Sequence, residues 1–401
     1  MINIVEGGVT APKGYTASGV ACGLKNNGNK DLAVVCSEDI AVAAGVFTKN
    51  VVKGHSLQLT MEHIKSGYAK AVIINSGNAN ACLGEQGIKD ANEMAELAAH
   101  LLNCKKENIL IGSTGVIGIP LNLPKVRGGI RSGISSLSSE GGHDAAEAIM
   151  TTDLVSKEIA VDIEIQGERV RIGGMAKGSG MIHPNMATMI SIITTDANIS
   201  RGLLDKALKE VVSRTFNRVS VDGDTSVCDM VIVLANGAAE NEGIVKEDAE
   251  YASFKSALDF VCTNLSRMIA KDGEGATKLI EVIAEGALNE EDAYKVVSSI
   301  AKSPLVKTAI FGEDANWGRI ITAAGYSGAD FDPNLVDIYI GDLMVCRNGA
   351  GLKFDEDAAK EILKKDEVKI KINLKRGIAS DRIWTCDFSY DYVKINGSYR
   401  S

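Results

Sequence analysis

Apolar positions along the chain repeat with two different periods. Residues 69–75, 189–195 and 229–234 are short, nearly unbroken runs rich in Val and Ile. Bounded by turn residues, runs of that length predict buried strands. Residues 31–36, 40–47 and 108–111 read as further short strands, and 160–165 with 169–172 alternate around Gln166-Gly167-Glu168 as a β-hairpin. Elsewhere the spacing is helical. Ile88, Met94, Leu97, Ala98 and Leu101 share one face of residues 87–104. Residues 203–216, 249–270, 289–302 and 355–365 follow the same rule, with acidic Glu290, Glu291 and Asp292 opening the fourth helix where its dipole favours them. The Gly- and Ser-rich piece at 127–142 is punctuated loop and helix, and 144–150 reads as a helix end. Strands at 278–284, 336–340, 368–374 and 384–389 complete the pattern. Strands and helices interleave throughout, so the expected class is mixed α/β, with helices sandwiching mixed sheets. A boundary near Gly286 divides a main α/β domain (1–286) from a smaller α/β domain (287–401).

Composition narrows the function. A net charge of −9 argues against nucleic acid or an anionic membrane as partner. The eight cysteines are scattered without a Cys-x-x-Cys pair, which is neither a disulfide framework nor a zinc pattern. They fit a reducing cytoplasm. No run approaches about 18 uninterrupted apolar residues, so no membrane span is expected. Met1-Ile2-Asn3-Ile4-Val5-Glu6 has neither the basic region nor the apolar core of a signal peptide. The five histidines show no metal-ligand spacing, so no metal is expected, and His183 reads as a residue that shapes its loop.

The chemistry gathers in the middle. Gly173, Gly174, Gly178 and Gly180 fall within eight positions, followed by Pro184 and the strand from Met189. A glycine-rich loop thus delivers Thr188 to the first position of a strand, with the small Ala187 before it. A threonine hydroxyl held against the preceding carbonyl can attack it, giving an ester that water cleaves; backbone strain and low bulk favour the step. The freed Thr188 then carries a hydroxyl beside an α-amine that titrates at about 7.7–8.0, a base next to its own nucleophile. From these residues alone, a glycine loop entering a core strand explains the pattern as well. Residues 112–118 have a Gly-x-x-Gly-x-x-Gly rhythm but lack the Gly-x-Gly start of a dinucleotide loop. Residues 271–278 do not match a phosphate-binding loop in order.

Residues 176–189, Ala-Lys-Gly-Ser-Gly-Met-Ile-His-Pro-Asn-Met-Ala-Thr-Met, resemble the self-cleavage segment of the ornithine acetyltransferase (glutamate N-acetyltransferase) family of arginine biosynthesis. Further matches run in order to the C-terminus. The resemblance implies an N-terminal-nucleophile architecture similar to the aminopeptidase and ornithine acetyltransferase fold, cut between Ala187 and Thr188. It implies Thr188 as acetyl-carrying nucleophile, Thr114 and Gly115 as oxyanion hole, and Thr151, Lys177, Thr188, Glu274, Asn396 and Ser401 as substrate ligands. The tail carrying Asn396 and Ser401 is expected to return to the active site. Phe311–Ile320 is also family-like, with Ala315 where many members have proline, and is given a packing role. The implied reaction passes acetyl from N-acetylornithine to glutamate through an acetyl-Thr188 ester in an α2β2 heterotetramer, without a cofactor. Acetyl-coenzyme A as a co-substrate stays open. So do a related N-terminal-threonine amidohydrolase or aminopeptidase acting on N-acyl amino acids, and an uncleaved small-molecule-binding relative.

Overall fold

The computed structural model describes residues 1–183 and 189–398, and these form two units. The first contains Met1–Asn217 and Asp224–Leu265, the second Arg218–Gly223 and the described residues from Ser266 on.

In the first unit, strands β1 (Asn3–Val5), β2 (Tyr15–Val20), β3 (Leu32–Phe47), β4 (Tyr68–Asn78), β5 (Ile109–Val116), β6 (Lys157–Ile165), β7 (Glu168–Lys177) and β8 (Ile190–Thr195) join β10 (Met230–Ala235). The intervening β9 (Val219–Ser220) belongs to the second unit. The sheet order is β1-β6-β7-β8-β10-β3-β4-β5, with β2 also paired to β3. Pairs β8–β10 and β4–β5 are parallel and the others antiparallel. The runs expected as two strands at 31–36 and 40–47 are one long strand. Its register with β4 shifts between Cys36 and Ala41, where polar Ser37-Glu38-Asp39 interrupt the apolar pattern. Across this bulge β3 pairs with β4 on both sides of the shift, with β2 along its first half and with β10 along its second.

Both faces of this sheet are covered, which explains why its strands are apolar at odd and even positions alike. Val34, Ile73 and Ile111 meet α2 (Glu85–Leu101; the preceding α1 is His55–His63) and α3 (Leu123–Ser135) through Met94, Ala98, Val126 and Ile130. Val35, Ile74, Leu110, Ile192 and Ile232 face the other way, with Ala145 and Ala146 of α4 (Gly142–Ala148) in the same core. Helix α5 (Arg201–Arg214) packs along β3, and Val261 and Leu265 of α6 (Ala249–Lys271) lie over Gly174.

The second unit holds β11 (Leu279–Ala287), β12 (Asp337–Ile340), β13 (Leu343–Arg347), β14 (Ala350–Gly351), β15 (Glu367–Asn373) and β16 (Ala379–Cys386), in the order β14-β13-β12-β15-β11-β16-β9. Its strands alternate. Ile280, Val282, Ile370 and Ile372 are buried with Val296, Val297 and Ile300 of α7 (Glu290–Lys302), Ile310 of α8 (Pro304–Phe311) and Ala323 of α9 (Trp317–Gly325). Glu281, Lys369 and Arg382 pair on the opposite face. One covered face and one charged face make a two-layer α/β unit. The division differs from the one expected near Gly286. Residues 279–287 pair with β15 and β16, so the strand expected to close the first domain lies inside the second unit. The strand expected at 384–389 ends at Cys386. After α10 (Glu356–Leu363) and β16, the tail forms α11 (Tyr390–Ser398).

Candidate active site

Strand β5, expected to stop at residue 111, continues to Val116 in parallel register with β4. That register sets Thr114 beside Ser76 and Gly115 beside Gly77. Gly115 has φ +129°, and a Cβ on it would lie 2.5 Å from the Gly77 carbonyl carbon, so the approach of the two backbones requires glycine. Buried side chains fix both sides of this turn. Ser113 Oγ donates to Asn75 Oδ1 (2.6 Å), Asn75 donates to the Asn78 carbonyl (2.9 Å), and Asn78 donates to the Ile119 carbonyl (2.9 Å). Thr114 itself is 9% exposed. No hydrogen bond links its hydroxyl to another described residue.

The central loop joins neighbouring antiparallel strands, since Lys177 at the end of β7 pairs with Ile190 at the start of β8. Ala187 and Thr188 lie in this connection, outside the described residues. His183 is described: its backbone carbonyl accepts from the Thr225 hydroxyl at 3.1 Å.

Thr151 and Lys177 meet around Asp153. One Asp153 oxygen accepts from the Gly178 amide (2.7 Å) and from Lys157 Nζ (2.7 Å), the other from the Thr151 amide (2.9 Å). The side chains of Asp153 and Lys157 are both wholly buried. Burial alone would raise the Asp153 carboxyl. The ammonium groups of Lys177 and Lys157, with the hydrogen bonds, outweigh it and hold the group well below the ordinary carboxylate range. Lys177 is only 7% exposed, and no hydrogen bond or ion pair joins its ammonium to another described residue. Its electrostatic counterpart among the described residues is the Asp153 carboxylate.

A pocket of about 360 Å³ opens beside this cluster, lined by Thr151 and Asp153 and by Lys25 and Lys30 of the 22–30 loop. The buried Asp31 carboxylate shapes that loop by accepting from the amides of Cys22, Leu24 and Lys25. The Lys25 side chain passes 3.5 Å from where a Gly77 Cβ would stand, which links the pocket to the Thr114–Gly115 turn.

In the second unit, Glu274 is 6% exposed and accepts from Asn396 Nδ2 of α11 at 2.8 Å. The turn is pinned by buried Asp387, which accepts from the amides of Thr277 (2.8 Å) and Lys278 (2.9 Å). Gly275 has φ +69°, and a Cβ there would lie 2.4 Å from the Tyr392 amide nitrogen, so glycine seats α11 against the turn. Ser401 lies outside the described residues. Asn316 of the Phe311–Ile320 segment accepts from the Arg319 amide and caps α9, a packing role as expected.

The ArgJ family pattern matches residues 16–401. The arginine biosynthesis bifunctional protein ArgJ of Caldanaerobacter subterraneus subsp. tengcongensis is 53% identical over 404 residues, covering all of both chains. This chain belongs to the ArgJ family. ArgJ of Symbiobacterium thermophilum is 52% identical over 99% of each chain. A crystal structure of ArgJ from Bacillus halodurans, 49% identical, superimposes with a TM-score of 0.52 over 53% of this chain and 100% of that one. The family and the mixed α/β class read from the sequence are therefore both found.

Sequence reasoning missed Asp153, Lys157 and Lys25. Asp153 and Lys157 flank Leu154 and Val155, and such a segment reads as a surface turn with its apolar residues tucked in. The structure inverts it, with Leu154 79% and Val155 57% exposed while the charges are inside. The i,i+4 spacing of opposite charges was the available signal. Among the described residues, no group of His, Cys, Asp and Glu is arranged to hold a metal, and no helix is long and apolar enough to cross a membrane.

Proposed function

We propose that this ArgJ-family chain cleaves itself before Thr188 and then transfers acetyl from N2-acetyl-L-ornithine to L-glutamate. Full-length identity above half to proteins named as bifunctional in arginine biosynthesis carries the reading. The Thr188 hydroxyl attacks the Ala187 carbonyl, the acyl group shifts from nitrogen to oxygen, and water releases residues 1–187. The exposed α-amine then takes the hydroxyl proton as Thr188 attacks the acetyl group. Ornithine leaves, and the glutamate amine attacks the ester. The Thr114 hydroxyl and Gly115 amide hold the oxyanion in both halves. Lys177 meets the α-carboxylate common to donor and acceptor, Thr151 orients it, and Glu274 and Asn396, with Ser401, receive the ornithine side chain.

The sheet order supports an assembly of the two fragments, because β8 and β10, which follow the cut, lie between β7 and β3, which precede it. The fragments therefore share one sheet and stay together. Two such pairs form an α2β2 heterotetramer in the cytoplasm, no cofactor takes part, and acetyl-coenzyme A serves as a second donor, in keeping with the relatives' bifunctional name.

Incubating the protein with N-acetylornithine, with and without glutamate, tests the reading. Sustained ornithine release that needs glutamate and yields N-acetylglutamate is expected. Release of acetate at the same rate without glutamate marks a hydrolase instead. Acetyl-coenzyme A in place of N-acetylornithine tests the second donor.

A further inference from the structure

We infer that Lys25 binds the side-chain carboxylate of the acceptor amino acid, a role that rests on the acetyltransferase reading above. Donor and acceptor share an α-carboxylate but end differently, one in an ammonium and the other in a second carboxylate. A carboxylate suited to the ammonium repels the second carboxylate, so the acceptor needs a cation of its own.

Lys25 has the right surroundings. It lines the pocket with Thr151, and its side chain runs beside Gly77, whose backbone touches Gly115. The pocket's anions are already engaged: Asp153 by Lys157 and two amides, Glu147 by Lys30 at 2.7 Å. The Lys25 ammonium donates to the Lys30 carbonyl at 2.7 Å, which leaves two of its three protons for a ligand. Asn27 and Asn29 line the same wall and bring neutral amide donors. Asp31 holds three amides of the loop, so the cation is presented on a fixed turn. Burial, chiefly, pulls the Lys25 pKa down, and a bound carboxylate would restore it.

The test compares L-glutamate with L-glutamine, which replaces the side-chain carboxylate by an amide of similar shape, as acceptors with N-acetylornithine as donor. The wild-type enzyme should prefer glutamate. In Lys25→Gln that preference, measured as a ratio of kcat/KM, should fall by about tenfold or more, mainly through the KM for glutamate, as for loss of one charge-assisted hydrogen bond. Lys25→Arg, which keeps the charge, should retain part of it. An unchanged ratio in Lys25→Gln, equal losses for both acceptors, or no wild-type preference for glutamate overturns the assignment. No transfer by the wild-type protein to any acceptor would instead sink the acetyltransferase reading itself.

Discussion

Lys177 and Glu274 are the two charged residues given to substrate, and each sits beside glycine on a turn pinned by a buried aspartate. Asp153 holds the Gly178 and Thr151 amides, and Asp387 holds those of Thr277 and Lys278. The surroundings of the two turns differ. Glu274 already has a partner in Asn396, whereas the Lys177 ammonium has no hydrogen-bonding partner among the described residues. Asp153 is locked to a wholly buried lysine, Lys157. Near Asp387 the buried lysine is Lys307, whose ammonium bonds to the Thr385 hydroxyl and the Cys386 carbonyl. One turn therefore rests on a buried ion pair. The other rests on amide and hydroxyl donors to the Asp387 carboxylate, with the Lys307 ammonium as its electrostatic neighbour, and its Glu274 is bonded to Asn396. The two turns thus differ in what surrounds the charge: an amide donor beside Glu274, and the Asp153 carboxylate as electrostatic neighbour of Lys177.

The largest expected effect separates the two pins. Asp153→Ala removes the buried carboxylate paired with Lys157 and should cost about 3–5 kcal/mol of stability. Asp387→Ala removes the acceptor of two amides and should cost about 1–3 kcal/mol. Urea midpoints measure both, and equal losses would erase the distinction. The same pair has a pH signature. Because the folded-state pKa of Asp153 is depressed, its stabilisation is present above the unfolded value of about 3.9 and is lost as pH falls below that. Stability of the wild type should fall more steeply than that of Asp153→Ala between about pH 4 and pH 2.

Much of this was readable in advance. The β6–β7 hairpin, the strand after Thr188 and the amphipathic helices α2, α6 and α7 follow from periodicity, because each buries a continuous face. Strands of the second sheet were legible singly, but 278–284 was placed in the first domain although it pairs with β15 and β16. The central place of β8 between β7 and β10 was not, since sheet order depends on pairing partners distant in sequence. Residues 31–47 were split because three polar residues break the apolar run, and a bulge leaves no local mark. The sequence reading assigned nothing to the buried Asp153–Lys157 pair, which follows the helix end at 144–150. Its worth depends on Lys177, twenty residues further along the chain, which no local pattern reveals.

A middle-sized effect bears on Thr114, whose hydroxyl, like the Lys177 ammonium, is bonded to no other described residue. Thr114→Ala should lower kcat by about 10²–10³-fold, roughly 3–4 kcal/mol, with a smaller change in KM. If KM alone moved, Thr114 would bind the ground state and the oxyanion hole would lie elsewhere. The smallest effect concerns the turn whose charge is already occupied. Glu274→Gln should raise the KM for N-acetylornithine by about ten- to a hundredfold, as for a charge-assisted bond of about 1.5–3 kcal/mol. The KM for glutamate should change less. Equal rises for both substrates would mean that Glu274 shapes its turn rather than reading an ammonium.

The account depends most on Thr188, which both processing and transfer need as a new N-terminus. N-terminal sequencing of the purified protein, after separation under denaturing conditions, tests this directly. Two chains are predicted that together account for 42.4 kDa, one beginning Met-Ile-Asn-Ile and the other Thr-Met-Ile-Ser. A single chain that stays whole after long incubation, or a second chain with any other start, would contradict the assignment of Thr188 as the nucleophile.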